Sequence, residues 1–411
     1  MKKLLWASIL FIQGNLSVFA LGSISADSLA VQVTDIKPIA DKKWYETLSI
    51  RGYMQMRYNR LLETNEDLGC EQCDRSWGKN GGFFMRRMRI ILFGQISKQV
   101  YIYIQPDFAS SPSSDKLHFG QLRDAYVDVG VDKDNEFRFR IGQSKVPFGF
   151  ENMQSSQNRL PLDRDDALNS ALPNERDIGV FFYWAPKKKR ELYADLVRSG
   201  LKGSGDYGIF GFGVFNGQTA NSPELNDELH VVGRVTYPFE YKNQIMEAGI
   251  QGYKGNFVLT KSNLSSGVKY NDDLNYLDER IAASFTLYPK PFGLQAEYNI
   301  GKGPEFDKFA DSISVQNLKG GYVLASYMIP AGKQLFFPFS RIQYYDGGKK
   351  AEKDARSYNV KEFEIGLEWQ PVKQLELVAM YTISERRYED FIKQDNLQKG
   401  RLLRLQLQAN F

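Results

Sequence analysis

The sequence predicts an all-β protein, a transmembrane antiparallel β-barrel of about sixteen strands, from two observations. The first is the C-terminal segment 401–411, where one face carries Leu403, Leu405, Leu407, Ala409 and Phe411 and the other carries Arg404, Gln406, Gln408 and Asn410. The second is that similar segments of about ten residues recur between turns from residue 47 onward. A barrel closed in lipid satisfies every backbone hydrogen bond, so its strands are apolar outside and polar inside. A soluble edge strand shows the same alternation, but it does not predict the repetition along the chain.

The N-terminal residues predict export. Lys2 and Lys3 precede an apolar stretch over residues 4–12, and the small residues Ala20 and Ala26 are candidate cleavage positions. The apolar stretch is shorter than the roughly 20 residues that a membrane-spanning helix needs. We therefore predict a signal peptide over residues 1–26, a short periplasmic lead-in over 27–46, and an outer-membrane barrel over 47–411.

Composition agrees with a barrel in the bacterial outer membrane. The chain has 53 basic and 49 acidic residues, a formal charge of +4, so it has no strong overall field and we expect no nucleic-acid partner. Its mean hydropathy of -0.42 does not exclude a membrane protein, because only alternate strand residues meet lipid. Aromatic residues make up 14% of the chain, enough for girdles at the membrane interfaces, whereas two histidines offer little for metal or cofactor chemistry. No cofactor or metal is expected.

The predicted strands are joined by connections that alternate in length, as when one rim of a barrel carries tight turns and the other carries loops. Segments 48–58, 99–107, 137–143 and 362–370 are clear examples of strands. Two segments are ambiguous. Segment 191–199 resembles a strand but breaks the up-and-down order, so it is expected to lie in an extended turn, and 86–93 places Arg86 on the face opposite Arg87 and Arg89. The short connections lie near 97–98, 131–135, 238–243 and 289–291, and the long ones near 59–82, 108–118, 144–175, 217–227, 255–278, 301–318, 346–360 and 385–399.

Cys70 and Cys73 are the two cysteines of the chain and lie in the first long loop. A zinc site would need a second ligand pair, and a redox motif would need a strand-helix-strand context that is not evident. In an exported chain, a small loop disulfide between them is the favoured interpretation.

Five stretches are notable for their order and spacing: 122–129 (LRDAYVDV), 141–151 (IGQSKVPFGFE), 175–179 (ERDIG), 213–217 (GVFNG) and 341–346 (RIQYYD). Together they resemble the phosphate-selective porin O and P family. The resemblance extends over about residues 50–411 and implies a trimeric, sixteen-stranded outer-membrane channel whose third long loop folds into the lumen. Within that match, residues 147–149 are expected to begin the inward loop, and Arg176 with Asp177 forms either an anchor for its return or a solvated rim pair.

Arginines that face the lumen are the candidates for an anion path, because a guanidinium stays charged and binds oxyanions bidentately. The alternative interpretation is that such residues solvate the wall or pair across strands. The constriction loop is mixed in charge, with three basic and five acidic residues, and Glu362, Glu364 and Glu368 on later strands would create a transverse field. By strand parity the lumen candidates are Arg51, Arg57, Arg138, Arg140, Arg234, Arg341 and Arg404, and the constriction-loop candidates are Arg159, Asp163, Arg164, Asp165 and Asp166.

The favoured function is a passive porin for small hydrophilic solutes with weak anion or phosphate selectivity. One alternative is a surface adhesin or structural barrel with a closed lumen. Another is an outer-membrane hydrolase, but a nucleophile with a positioned base would have to use His118 or His230, so no enzyme is expected. The expected partners are outer-membrane lipid, small hydrophilic solutes or anions, two further copies in a homotrimer, and the barrel-assembly machinery, which would bind the C-terminal strand.

Overall fold

A computed structural model describes residues 43–411, apart from 72, 74–76, 80 and 110–117. The predicted signal peptide and most of the predicted lead-in lie outside the described residues. The described chain forms a closed antiparallel barrel with sixteen wall strands, which confirms the predicted fold class. Within the described ranges, no helix combines the length and the apolarity needed to cross a membrane.

Sixteen long strands form the wall, and one three-residue strand extends a turn. They are β1 (Leu48–Leu61), β2 (Phe84–Gln95), β3 (Val100–Asp107), β4 (Gln121–Gly130), β5 (Phe137–Lys145), β6 (Arg176–Trp184), β7 (Phe210–Phe215), β8 (His230–Tyr241), β9 (Gln244–Val258), β10 (Asn275–Leu287), β11 (Phe292–Asp307), β12 (Ser312–Tyr327), the short β13 (Ile329–Ala331), β14 (Gln334–Gly348), β15 (Ser357–Val372), β16 (Leu375–Glu389) and β17 (Leu397–Asn410). The helices are α1 (Phe150–Met153), α2 (Asp166–Ala171) and α3 (Lys187–Arg198), with single 3-10 turns at Trp44–Thr47, Lys261–Asn263 and Lys353–Ala355.

The C-terminal strand closes the barrel on the first strand. β17 pairs with β1 in antiparallel register, with Tyr53 opposite Asn410. The backbone N–H of Phe411 donates to the carbonyl of Gly52 at 2.9 Å, and the N–H of Gly52 donates to the carbonyl of Phe411 at 2.7 Å. A Cβ at Gly52 would lie 2.5 Å from both the Phe411 ring and the backbone oxygen of Arg89, so any side chain here would have to displace one of them. The alternation of β17 therefore predicted which of its faces lies toward the lumen and which toward lipid.

Side chains alternate between the two faces of the wall as the sequence predicts. On β17, Arg404 is fully buried on the inner face whereas the neighbouring Leu405 is 38% exposed on the outer face. The same contrast separates Glu364 from Ile365 on β15. Apolar side chains therefore face lipid, and polar side chains face the lumen, where they are buried by segments that fold into the barrel.

Three predicted loops are much shorter than the sequence suggests. The connections after β11, β14 and β16 cover only residues 308–311, 349–356 and 390–396, because these strands continue above the membrane level as a raised wall. Most of the predicted loop 301–318 is therefore strand. Polar residues on both faces of these extensions hide the alternation that identifies a strand within lipid.

The segment 191–199 is helical, so its strand-like interpretation is wrong. It belongs to α3, in a connection over residues 185–209 that joins β6 to β7 at the end of the barrel carrying the short turns, which is the periplasmic end. Tyr193 and Leu196, three residues apart, are both buried on one helix face, at 2% and 1% exposure. The expectation that this segment lies in an extended turn rather than in the wall agrees with the structure.

Candidate functional site: an arginine-lined constriction in the lumen

The third loop, residues 146–175, folds into the barrel, as the family resemblance implied. It leaves β5 through Phe148, which is fully buried, and turns at Gly149, whose φ of 82° lies in the left-handed region that favours glycine. Helices α1 and α2 are both buried inside the barrel. The loop therefore narrows the lumen at mid-height.

Ion pairs fix the third loop to the late strands and to β1. The Glu151 carboxylate lies 2.9 Å from the Arg341 guanidinium on β14. Asp163 accepts from Arg57 at 3.2 Å and also from Arg404. These contacts join residues more than 100 positions apart in the chain, so they set the depth of the loop in the lumen.

The acids of the late strands are paired, so they do not form the open negative wall that a transverse field requires. Glu362 pairs with Arg386 at 2.6 Å, and Glu364 pairs with Arg341 at 2.6 Å. Glu368 pairs with Lys202 at 2.6 Å. Wall arginines of β14 and β16 thus neutralise Glu362 and Glu364, and the connection 185–209 supplies the cation that neutralises Glu368.

The connection 185–209 fills the same side from the periplasmic end. Leu196 on α3 and Leu201 pack in one buried cluster with Phe150 of the third loop. The Gln154 side chain donates to the carbonyl of Lys202 at 2.7 Å, which joins the two inserted segments directly. The sequence prediction placed 191–199 in an extended turn, but it did not predict that this connection enters the barrel.

An open part of the lumen lies along the early strands. A cavity of about 210 Å³ separates the third loop from the wall of β2 to β4. Below it, the inward side chains Tyr101 and Tyr103 of β3 and Asp128 of β4 are partly exposed inside the barrel. The charged residues that line the cavity are Arg86, Arg87, Arg89, Arg123, Arg159 and Arg164 against Glu71, Asp107, Asp163, Glu175 and Glu352.

Two β-bulges add arginines to this cavity. On β2, Gln55 pairs with Arg87 and Met56 pairs with Met85, which leaves Arg86 as the extra residue. On β4, Asp124 and Leu122 oppose consecutive residues of β3, which leaves Arg123 as the extra residue. A β-bulge changes the direction in which the side chain of the extra residue points. Arg86 therefore lines the cavity together with Arg87, although simple alternation places the two on opposite faces.

Arg87 and Arg123 differ from the other arginines of the cavity in their partners. Arg87 donates to Gln55 at 2.7 Å and Arg123 contacts Asn174 at 3.4 Å, and within the described residues neither has a carboxylate oxygen within 4.0 Å. Their Nε atoms are buried without a hydrogen-bond partner. Arg89 and Arg164 instead pair with Asp107 at 2.8 Å and Glu175 at 3.0 Å.

Glu175 is the acidic centre of the constriction. Its carboxylate lies within 3.2 Å of Lys145, 3.0 Å of Arg164 and 2.7 Å of Arg176. Burial alone would raise the pKa of Glu175, but Lys145 and Arg164 outweigh burial and hold this pKa well below its usual range. Glu175 therefore stays ionised and offsets part of the arginine charge.

Most lumen arginines named from strand parity are engaged in ion pairs, as the cross-strand alternative describes. Arg138 pairs with Asp206 at 2.8 Å, and Arg140 pairs with Asp128 at 2.7 Å. Arg57, Arg341 and Arg404 hold the third loop, and Arg234 lies 3.7 Å from Glu247. Arg51 is exposed, with its guanidinium over the Phe93 ring at 5.1 Å.

The constriction-loop candidates divide into two groups. Arg159, Asp163 and Arg164 line the cavity. Asp165 caps α2 by accepting from the N–H of Leu168 at 3.1 Å, and Asp166 pairs with Arg386 at 2.7 Å, so these two acids position the loop.

The predicted Arg176–Asp177 pair does not form. Arg176 instead pairs with Asp124 at 2.9 Å, and Asp177 accepts from the backbone of Gly217 at 2.8 Å. Adjacent residues of a strand point to opposite faces, which keeps these two side chains apart.

The first loop also reaches the constriction. Cys70 and Cys73 form a disulfide, and Cys73 lines the cavity. Trp77 donates from Nε1 to Asp163 at 3.3 Å, with the guanidinium of Arg404 5.0 Å from its ring centre. The disulfide thus lies beside the anchor of the third loop.

Comparison with known proteins supports a channel. The family model of the phosphate-selective porin O and P matches residues 64–411. Comparison with curated proteins gave no significant match. Solved structures of similar fold include the outer-membrane channel DcaP of Acinetobacter baumannii (13% identity, TM-score 0.53, 89% of this chain and 97% of that chain), the trimer form of OmpT, an outer-membrane protein of Vibrio cholerae (11%, 0.50, 89% and 99%), and an anion-selective porin from Comamonas acidovorans (10%, 0.52, 89% and 99%).

Proposed function

The chain belongs to the phosphate-selective porin O and P family and is a passive porin of the outer membrane, and from this premise we propose that its channel prefers anions weakly. The family indicates a channel rather than an enzyme. The observation that supports the proposal is the pair of buried guanidinium groups of Arg87 and Arg123, which face the cavity without a carboxylate partner among the described residues. An anion that enters the cavity is attracted by these uncompensated charges.

The preference is weak because the same cavity carries carboxylates. Its lining has six arginines and five acids, a difference of one positive charge. Asp107, Asp163 and Glu175 lie on the same surface as the arginines, so a phosphate dianion would be repelled by ionised oxygens while it is attracted by guanidinium groups. We therefore propose selectivity by charge without a tight phosphate site.

Reversal potentials across planar bilayers in asymmetric KCl test the proposal. We expect stepwise currents with a modest preference for chloride that decreases as the salt concentration rises, because ions screen the field. A silent barrel would support the structural-barrel alternative, and a strong cation preference would refute the proposed role of the arginines. Block of the chloride current by micromolar phosphate would refute the absence of a tight phosphate site.

We further propose that the chain forms a homotrimer through the outer face of β5 to β7. These strands have nine, nine and six residues, shorter than the 16 residues of β11 and β12. Their lipid side carries stacked aromatics: Phe182 lies 6.3 Å from Phe137 and 5.4 Å from Phe139 between ring centres. A short wall with a continuous aromatic surface suits packing against an identical wall better than contact with a full-height bilayer.

Analytical ultracentrifugation with detergent matching tests the assembly. Phe139→Arg with Phe210→Arg should convert the trimer to monomers, because charged side chains on both strands oppose burial of the face. The matched control is Ile281→Arg with Ile342→Arg on the lipid face of β10 and β14, which should keep the trimer. Dissociation of the control, or a trimer in the test variant, would contradict the assignment of this face.

A further inference from the structure

Three basic side chains form a cluster on the outer surface of the barrel, outside the lumen. Lys361 on β15, with Lys399 and Arg401 on β17, points away from the lumen, and we term these three residues the basic triad. The strand between them contributes Glu385, which is directly opposite both Lys361 and Lys399 in the strand register. The triad therefore occupies one continuous patch across three neighbouring strands.

The basic triad lies at the height of the outer membrane boundary. From Lys361 to Val372 at the periplasmic end of β15 there are eleven residue steps, about 36 Å along the strand and about 28 Å along the membrane normal at a tilt near 40°. The outward side chains between them are apolar, including Phe363, Ile365 and Leu367. Since the apolar band of such barrels is about 25 Å tall, Lys361 stands just above its extracellular edge.

A groove runs from the basic triad down to this band. It has a volume of about 610 Å³, and its lining combines the three cations with Phe363 and Ile383. Two acids also line it: Glu385, and Glu362, which pairs with Arg386. Phe363 is directly opposite Ile383, and Ile383 is directly opposite Arg401, so apolar and cationic groups meet in register. A ligand that fits this lining has an anionic head and apolar chains.

The charge of the patch is mostly uncompensated. Lys399 pairs with Glu385 at 2.7 Å. Across the described ranges, Lys361 and Arg401 have no carboxylate oxygen within 4.0 Å. Three cations and one acid leave a charge of +2 at the depth where the head groups of the outer leaflet lie.

We propose that the basic triad binds the phosphate groups of a phosphorylated, multiply acylated glycolipid in the outer leaflet, with its acyl chains along the groove. Lys and Arg side chains at a membrane surface attract anionic head groups, and a guanidinium binds phosphate bidentately. The span of β15 to β17 is about 10 Å at a strand spacing of about 4.8 Å, comparable to the width of a disaccharide head. The ligand thus bridges three strands, including the strand that closes the barrel.

A second copy of the chain is a less suitable occupant of the patch. The aromatic face of β5 to β7 is separated from β17 by the four strands β1 to β4. Two identical basic triads brought together would also repel each other. An anionic lipid does not have to lie at the proposed trimer face, and the basic triad attracts it.

Native mass spectrometry of the full chain tests the site after reconstitution with the probe lipid A, a bis-phosphorylated acylated disaccharide. The variant Lys361→Gln with Lys399→Gln and Arg401→Gln should retain lipid A about 100-fold less than the unmodified protein, at about fivefold for each charge removed. The control Lys242→Gln with Lys333→Gln and Lys373→Gln removes the same charge from exposed periplasmic turns and should retain lipid A fully.

Three results would overturn the proposal: equal retention by the triad variant, equal retention of dephosphorylated lipid A, or equal retention of phosphatidylglycerol, which would indicate a general anionic surface. Loss of binding on trimer formation would assign the patch to a second copy and overturn it as well. Because the triad faces away from the lumen, conductance should be unchanged in the variant, so this test is independent of the proposed selectivity. If the triple variant does not fold, Arg401→Gln alone should lower retention about fivefold, and unchanged retention would refute the site.

Discussion

Replacing Arg87 and Arg123 with glutamine should change the sign of the channel's selectivity. A cavity of about 210 Å³ corresponds to a sphere of radius about 3.7 Å, so an ion at its centre lies about 5 Å from the surrounding guanidinium groups. In water a unit charge at about 5 Å contributes about 0.8 kcal/mol, which screening at 0.1 M salt lowers to about 0.5 kcal/mol. Each arginine favours an anion and disfavours a cation by this amount, so it changes their permeability ratio about fivefold.

The double variant Arg87→Gln with Arg123→Gln should therefore lower the anion-to-cation permeability ratio about 30-fold at 0.1 M salt. Five carboxylates remain in the lining, so the reversal potential should change from the anion to the cation direction. At 1 M salt the Debye length is about 3 Å, and the effect of each arginine should fall below about twofold. Glutamine keeps side-chain hydrogen-bonding groups, so the wall of the cavity should persist.

The assay is the reversal potential of single channels in asymmetric KCl at both salt concentrations. The control variant Lys242→Gln with Lys373→Gln removes two charges from exposed turns and should leave the potential unchanged. An unchanged reversal potential in the cavity variant, with stepwise conductance and heat-modifiable mobility retained, would refute the assignment of the field to Arg87 and Arg123. An equal shift in the control would attribute selectivity to overall charge.

Three further predictions concern assembly and the inserted segments. Gly52→Val should prevent closure of the barrel, since the valine side chain would overlap the Phe411 ring. Loss of heat-modifiable mobility in outer-membrane extracts would show this defect, and Gly52→Ala should have a smaller effect on the same mobility. Lys202→Met leaves the buried carboxylate of Glu368 unpaired, at a cost of roughly 3 kcal/mol in stability. The connection 185–209 should then loosen, and single-channel conductance should rise. Equal conductance would contradict the role of this connection in narrowing the lumen. Cys70→Ser with Cys73→Ser opens only a small ring, so thermal unfolding of the barrel should change little, and absence of folded protein would refute this.

The sequence alone determined the barrel and the position of the third loop, whereas the insertion of this loop into the lumen was implied by the family resemblance. A strand whose two faces meet lipid and water must alternate, and this period of two is visible without any knowledge of its neighbours, as in residues 401–411. Alternation in the length of the connections then predicted sixteen strands and the position of the third loop. Both features are local in the chain, which is why they could be predicted.

The strand extensions and α3 were not predictable in the same way. Beyond the membrane level both faces of a strand meet water, so the alternation that marks residues within lipid fades. The segment 191–199 resembles a strand in sequence, but its backbone is helical and its apolar side chains Tyr193 and Leu196 are buried together against Phe150 of the third loop.

The charge pattern of the constriction was decided by the tertiary structure. Strand parity selected Arg138 and Arg140, whose charges are compensated by carboxylates. It did not select Arg87 and Arg123, because β-bulges at Arg86 and Arg123 shift the alternation by one residue. Whether an arginine carries a net field depends on its partner, and partners such as Glu151 and Arg341 are 190 positions apart in the chain. Alternation determines which face a side chain occupies, but only the folded chain brings distant carboxylates to some guanidinium groups and leaves others facing the water path.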